Sequence, residues 1–331
     1  MPSGIFRVQY YQKPLRQFGV EMRECPSWAG VFPPQRKWLR PAWGLWNLVD
    51  RAPDTLRSYG YDLVFFQREL LSTSVTWERF AKRPRIFDVD DAVWTHRRGH
   101  FAPKLARLCD HVICGNSFLA EEFSRWNPSV SVLPTPVDVH RFCPQKCEHD
   151  PERPIIGWMG LHTNIGFLYG IEPALREVLR RHPKAIFRIV SGAAPEFRSL
   201  PSDQVEYIRW TPANEARTIQ EMTIGIMPLN DTVSARGKCS YKMLLYMACG
   251  LPVVVSPVGM NAEVLEQDNV GFGAASSCDW VERLDELLRN PELRSRMGAA
   301  GRNVVVQNYS VEVLAPRLAK TLHNVAGADI L

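Results

Sequence analysis

From about residue 60 onward, short apolar runs alternate with segments of helical period, and the alternation is broken once. Leu63–Phe66, Arg85–Val89, His111–Cys114 and Val130–Leu133 read as strands, with helices across Phe101–Cys109 and Phe118–Trp126. Asn116 and Ser117 close one strand and have the chemistry of a helix N-cap. A second series follows: Ile155–Met159, Ile186–Val190, Val205–Ile208, Ile224–Met227 and Leu251–Val255, with helices across Gly170–Arg181 and Tyr241–Cys249. Strands separated by helices pair in parallel, and the helices then cover both faces of the sheet. The break runs from Pro134 to Pro154 and also holds Pro136, Pro144 and Pro151 among many charges. It reads as a linker between residues 1–148 and 149–331. The predicted fold is α/β: two doubly wound, Rossmann-like domains facing a cleft, with ligands outside the carboxyl ends of strands.

The first 60 residues are less regular. Ile5–Phe18 has helical character despite Pro14, and no strand precedes Ile5, so the opening βα unit of the first domain is shortened. Trp28, Phe32, Arg36, Lys37, Trp38, Arg40, Trp43 and Trp46 suit either a membrane surface or a helix packing its tryptophans inward. Pro33, Pro34 and Pro41 interrupt a long amphipathic helix, which favours inward packing.

Composition narrows the function classes. With 331 residues the chain exceeds a single core. A net charge of +5 accommodates an anionic substrate, but no basic runs point to nucleic acid, and none is expected as a partner. There is no bilayer-length apolar stretch and no signal-peptide core after Met1, so a cytoplasmic protein is expected, with peripheral contact at the inner membrane face as an option. Cys109, Cys114, Cys239 and Cys249 sit in apolar runs and read as reduced core thiols.

The segment from Ile224 to Leu265 carries the most chemistry: strand, basic loop, helix, turn, buried strand, loop. Arg236, Gly237, Lys238 and Ser240 lead into a helix near Tyr241, and Lys242 adds charge there. Free N–H groups at a helix start together with cations suit a diphosphate. A solvated basic loop capped by Ser240 is the competing reading.

This stretch, ending in Tyr246-Met247-Ala248-Cys249-Gly250-Leu251-Pro252-Val253-Val254, resembles the donor-binding segment of the family 4 retaining glycosyltransferases. Further motifs are similar in the same order. They are Gly157-Trp158-Met159-Gly160, Trp210-Thr211-Pro212, Asn308-Tyr309-Ser310, Phe87–Trp94, Val112–Ser117 and Leu133–Asp138. The resemblance implies the GT-B fold, a nucleoside diphosphate sugar as co-substrate, and no metal or other cofactor. It implies a carbohydrate, lipid-linked or small-molecule acceptor, and a last helix that crosses back to the first domain. It places the donor against Gly160, His162, Trp210, Ser240, Tyr241, Lys242, Asn261 and Glu263, with Arg236 and Lys238 stabilising the leaving diphosphate. Two positions depart from the family pattern: Gly237 and Leu245 stand where many members carry glutamates. Only Ser3-Gly4 remains of the family's opening glycine-rich loop. A sugar-nucleotide epimerase, a phosphorylase and a nucleotide-sugar-binding protein without turnover are the alternatives.

Asp88, Asp90 and Asp91 close a strand, where cleft residues belong. Asp90 and Asp91 are the acceptor-side or general-base candidates; an N-cap and an Asp-x-Asp metal site are the other readings. Cys143, Cys147 and His149, with His140 nearby, lack a usual zinc spacing. His96 and His100 are weaker acceptor-side candidates.

Overall fold

The computed structural model describes residues 4–28, 33–34, 36–70, 74–95, 99–145 and 152–327. Ser3, Phe32, His96, Cys147 and His149, named above, lie outside the described residues. The chain divides into two compact units. Unit 1 comprises the residues up to Pro136, Arg236–Cys239 and the residues from Val311 onward; unit 2 comprises Val137–Ala235 and Ser240–Ser310.

Unit 1 is built on four parallel strands, β1 (Val64–Gln67), β2 (Arg85–Val89), β3 (His111–Cys114) and β4 (Val130–Val132), in that spatial order. β2 and β3 are buried along their whole length, which takes the charged Arg85 and Asp88 of β2 out of solvent together with their apolar neighbours. Asn116 caps the helix Ser117–Ser124 by accepting from the Leu119 amide at 2.8 Å. No strand precedes β1 among the described residues; a helical segment, Ile5–Phe18, stands there instead. Its Tyr11 and Leu15 pack with Ile86, Ile113, Leu314 and Leu318 in one core cluster, so the segment and the helix Val311–Ala326 cover one face of the sheet. Pro14 lies near the end of a short α-helical stretch, Tyr10–Leu15, flanked by a π-helical turn before it and a 3-10 turn after it.

One expectation is overturned here. Pro41 falls in the first turn of a helix, Arg40–Arg57, where a missing N–H does no harm. That helix buries Asn47 and Thr55, not tryptophan, and Trp28, Trp38 and Trp46 are exposed.

Unit 2 holds six parallel strands: β5 (Ile155–Met159), β6 (Ile186–Ser191), β7 (Val205–Arg209), β8 (Ile224–Met227), β9 (Val253–Val255) and β10 (Gly271–Gly273). Their spatial order is β10-β9-β8-β5-β6-β7. Trp158, Leu175, Phe187, Ile226, Val254 and Trp280 belong to its core. The first part of the proline-rich break is structured, not a free linker: Val137 bridges to Ser310, and Arg302 donates to the carbonyls of Val139 and Phe142 at 2.9 and 2.7 Å. Cys109, Cys114, Cys239 and Cys249 are buried free thiols. Among the described residues, no helix is long and apolar enough to cross a membrane.

Candidate functional site

In the strand order of unit 2, connections leave β5 in one direction and β8 in the other. Ligands in such sheets bind where the order reverses, outside the carboxyl ends of those strands. Gly160 follows β5 there, its amide donating to the Val190 carbonyl at 3.0 Å. A Cβ at Gly160 would stand 2.6 Å from the Trp158 ring and 3.2 Å from the Lys242 Nζ, so only glycine lets the loop lie against the buried indole. The Lys242 ammonium sits 5.2 Å from the Trp158 ring centroid, close enough for cation–π attraction. Lys242 is in the first turn of the helix Tyr241–Ala248, whose leading amides face the same end of the sheet. Tyr241 is half-buried beside it.

Ser240 does not cap that helix, contrary to the capped-loop reading. It adopts a left-handed conformation, φ 50°, and its hydroxyl donates to Asn261 Oδ1 at 2.7 Å. Asn261 Nδ2 donates to the Ser256 carbonyl at 3.0 Å, and Ser256 Oγ accepts from the Leu229 amide at 3.0 Å. One buried network thus ties the ends of β8 and β9 to the starts of two helices. The Asn261 side chain is fully buried and engaged in that network, where it ties the loop before the helix Tyr241–Ala248 to the end of β9. Glu263, two residues on, is exposed, as is His162 in the turn after β5. Trp210 follows β7, an edge strand separated from β5 by β6. Its indole donates to Glu215 at 3.3 Å, and Glu215 also accepts from Arg141 at 2.8 Å. Burial pushes the Glu215 carboxyl up, against the opposing pull of Arg141 and Trp210.

The other sequence candidates, Arg236, Lys238, Asp90 and Asp91, all fall in unit 1. Asn116 Nδ2 donates to the carbonyls of Arg236 and Lys238 at 3.1 and 3.0 Å, clamping the basic loop. A Cβ on Gly237 would lie 2.6 Å from Ala92 Cβ and 2.9 Å from its amide nitrogen, so a glutamate has no room in this arrangement. The Cys239 thiol donates to the Asp90 carbonyl at 3.1 Å, and burial pushes its pKa well up, which keeps it a thiol. Arg236 is exposed and Lys238 half-buried.

Asp90 and Asp91 are held by Arg68, at 3.3 and 3.8 Å. Burial alone would weaken the Arg68 proton, but the two carboxylates outweigh it and raise its pKa. Asp91 also accepts from the Ala92 amide at 2.9 Å. Asp88 is different, and its assignment to a cleft is corrected: it is 1% exposed and forms a bidentate pair with Arg7. Its place inside the strand directs it to the helical segment, away from solvent. His100 is exposed. Among the described residues, no group of three or more His, Cys, Asp or Glu is arranged to hold a metal.

Sequence reasoning found the N-cap role of Asn116 but missed Arg68 and the clamp that the Asn116 amide places on the loop carrying Arg236 and Lys238. Among the described residues other than glycine, Arg68 (φ 70°) and Ser240 (φ 50°) alone have positive φ. Each such conformation costs about 1–2 kcal/mol. One lies in each cluster, and strain of this kind concentrates at functional positions.

Residues 153–290, the bulk of unit 2, match the family model of glycosyl transferases group 1. No curated protein matches the chain. Sucrose-phosphate synthase from Thermosynechococcus elongatus is 15% identical with a TM-score of 0.68, covering 92% of this chain and 83% of its own. WaaG, a glycosyltransferase involved in lipopolysaccharide biosynthesis, is 13% identical with a TM-score of 0.65, covering 97% and 95%. Anabaena HepE, in complex with UDP-glucose, is 13% identical with a TM-score of 0.63, covering 83% and 82%. At these identities the likeness is one of fold: two Rossmann-like, parallel-sheet units of the GT-B glycosyltransferase kind.

Proposed function

We propose that this chain is a glycosyltransferase that moves a sugar from a nucleoside diphosphate sugar to an acceptor hydroxyl, with retention at the anomeric carbon. The observation that carries the reading is the Lys242 ammonium, seated over Trp158 beside Gly160 at the reversal of strand order in unit 2. The family match over residues 153–290 and the nucleotide sugar held by HepE support it. The main barrier is departure of the diphosphate. Lys242 and the leading amides of its helix would meet the developing negative charge, with Arg236 and Lys238 contributing. Asp90 and Asp91, oriented by Arg68, would bind the acceptor or take its proton. The acceptor classes are a glycan, a lipid-linked sugar or a small molecule, and no further cofactor enters.

A second reading rests on two positions. Gly237 has no room for a side chain, and Leu245 is 1% exposed inside the helix Tyr241–Ala248. Both carboxylates of the family pattern are therefore missing, which favours a protein that binds nucleotide sugar without transferring it.

A panel of UDP-, GDP- and ADP-sugars, each with and without glycan and lipid-linked acceptors, separates the two. The first reading expects acceptor-dependent release of nucleoside diphosphate from at least one donor. Binding without release across the panel selects the second, and acceptor-independent release points to an epimerase.

A further inference from the structure

An amphipathic helix in a globular unit normally turns its apolar stripe to the core. The helix Arg40–Arg57 of unit 1 does the reverse. Trp38 in the preceding turn and Leu45, Trp46, Val49 and Leu56 recur at helical spacing and are 58–73% exposed. The inward face carries Asn47, 2% exposed, and Thr55. Polar contacts hold that face: Ser27 donates to Asn47 at 3.1 Å, and the Trp77 indole donates to the Leu48 carbonyl at 2.8 Å. The orientation is thus fixed from inside, and the outer stripe is left to something else. Tyr59 and Phe80 extend the exposed surface past the helix end, joined by a 3.0 Å bond from the Tyr59 hydroxyl to the Phe80 carbonyl.

Charge decides what covers it. Between Glu24 and Asp50 the sequence has no acidic residue, while Arg36, Lys37 and Arg40 are all exposed at the helix start. Asp50 is turned onto Ser27 and the Trp28 amide, both at 3.0 Å, and Asp54 pairs with Arg57 at 3.1 Å. A symmetric pairing of two copies would set these cations against each other. Tryptophan flanked by Arg and Lys suits the headgroup zone of a bilayer. We propose that this helix face docks unit 1 in the plane of a membrane surface containing anionic phospholipid.

Flotation of the full chain with vesicles tests this. Phosphatidylcholine vesicles and vesicles of phosphatidylcholine with phosphatidylglycerol serve as the two surfaces. The expected result is binding to the anionic vesicles that weakens with salt, and little binding to phosphatidylcholine alone. A variant carrying Arg36→Gln, Lys37→Gln and Arg40→Gln should bind roughly 100-fold more weakly at low salt, at about fivefold per cation. A variant carrying Trp38→Ser, Leu45→Ser, Trp46→Ser and Val49→Ser should lose vesicle binding while keeping the wild-type circular dichroism. If that variant misfolds, the charge variant carries the test. Absence of wild-type binding to anionic vesicles overturns the proposal. So does equal binding to both surfaces, an unaffected charge variant, or a wild-type dimer that the serine variant dissolves without any vesicle binding.

Discussion

Asp88→Ala should lower the unfolding free energy by about 3–5 kcal/mol, measured by denaturant titration. The carboxylate and the Arg7 guanidinium are each 1% exposed, and removing one leaves the other charged and without its partner away from water. The effect should be lopsided. A variant with Arg7→Met and Asp88→Leu together removes both charges and should recover much of the loss, because a matched apolar pair needs no desolvation. It will not recover all of it, since Arg7 also donates to the Leu133 carbonyl at 2.7 Å, which would be orphaned. The pair ties the helical segment Ile5–Phe18 to β2, two residues before Asp90, so the single variant should also loosen the Asp90–Asp91 cluster. A loss below about 1 kcal/mol for Asp88→Ala would mean the pair is hydrated.

Lys242→Ala should reduce turnover about 10²-fold or more, because the ammonium would stabilise charge that appears only as the diphosphate leaves. Packing alone predicts something else. If Lys242 serves only as a cation over Trp158, the variant should lose about 0.5–1 kcal/mol of stability and keep its rate. Comparing kcat with the denaturation midpoint separates the two. Arg236→Ala and Lys238→Ala should each lower the rate by a similar factor while leaving the fold intact, since Asn116 clamps main-chain carbonyls and not those side chains.

The strands were the most legible part of the sequence. Arg85–Val89, His111–Cys114, Ile155–Met159 and Ile224–Met227 are observed with the bounds expected. Parallel strands buried on both faces are nearly continuous apolar runs, so their ends are visible. β10 was not, because Gly271-Phe272-Gly273 carries too little apolar signal. Arg7 and Asp88 are separated by 81 positions, and no local pattern announces that they pair. Arg68 and Ser240 take left-handed conformations and make side-chain hydrogen bonds to Asp90 and Asn261, about twenty positions away, which a propensity argument does not see. The tryptophans of residues 28–46 read as packing inward because Pro33, Pro34 and Pro41 interrupt a long amphipathic helix. The structure turns most of them out, and the reason lies in Asn47 and Thr55 on the opposite face. At the candidate site, residue types were legible, but their grouping was not. Arg236 and Lys238 read as a loop leading into the helix that carries Lys242, and the fold assigns that loop to unit 1 and Lys242 to unit 2.

A nucleoside diphosphate is proposed to bind at the carboxyl ends of β5 and β8. Calorimetric titration of the full chain with UDP, GDP and ADP, repeated on Lys242→Ala, tests it most directly. The expected result is saturable binding of at least one of the three by the wild-type chain, and strongly weakened binding by a folded Lys242→Ala variant. Binding of that kind should also raise the melting temperature, because a ligand at about 100 times its Kd stabilises the folded state by about 2.7 kcal/mol. No heat and no melting shift with any of the three, or unchanged affinity in the Lys242→Ala variant, would contradict it.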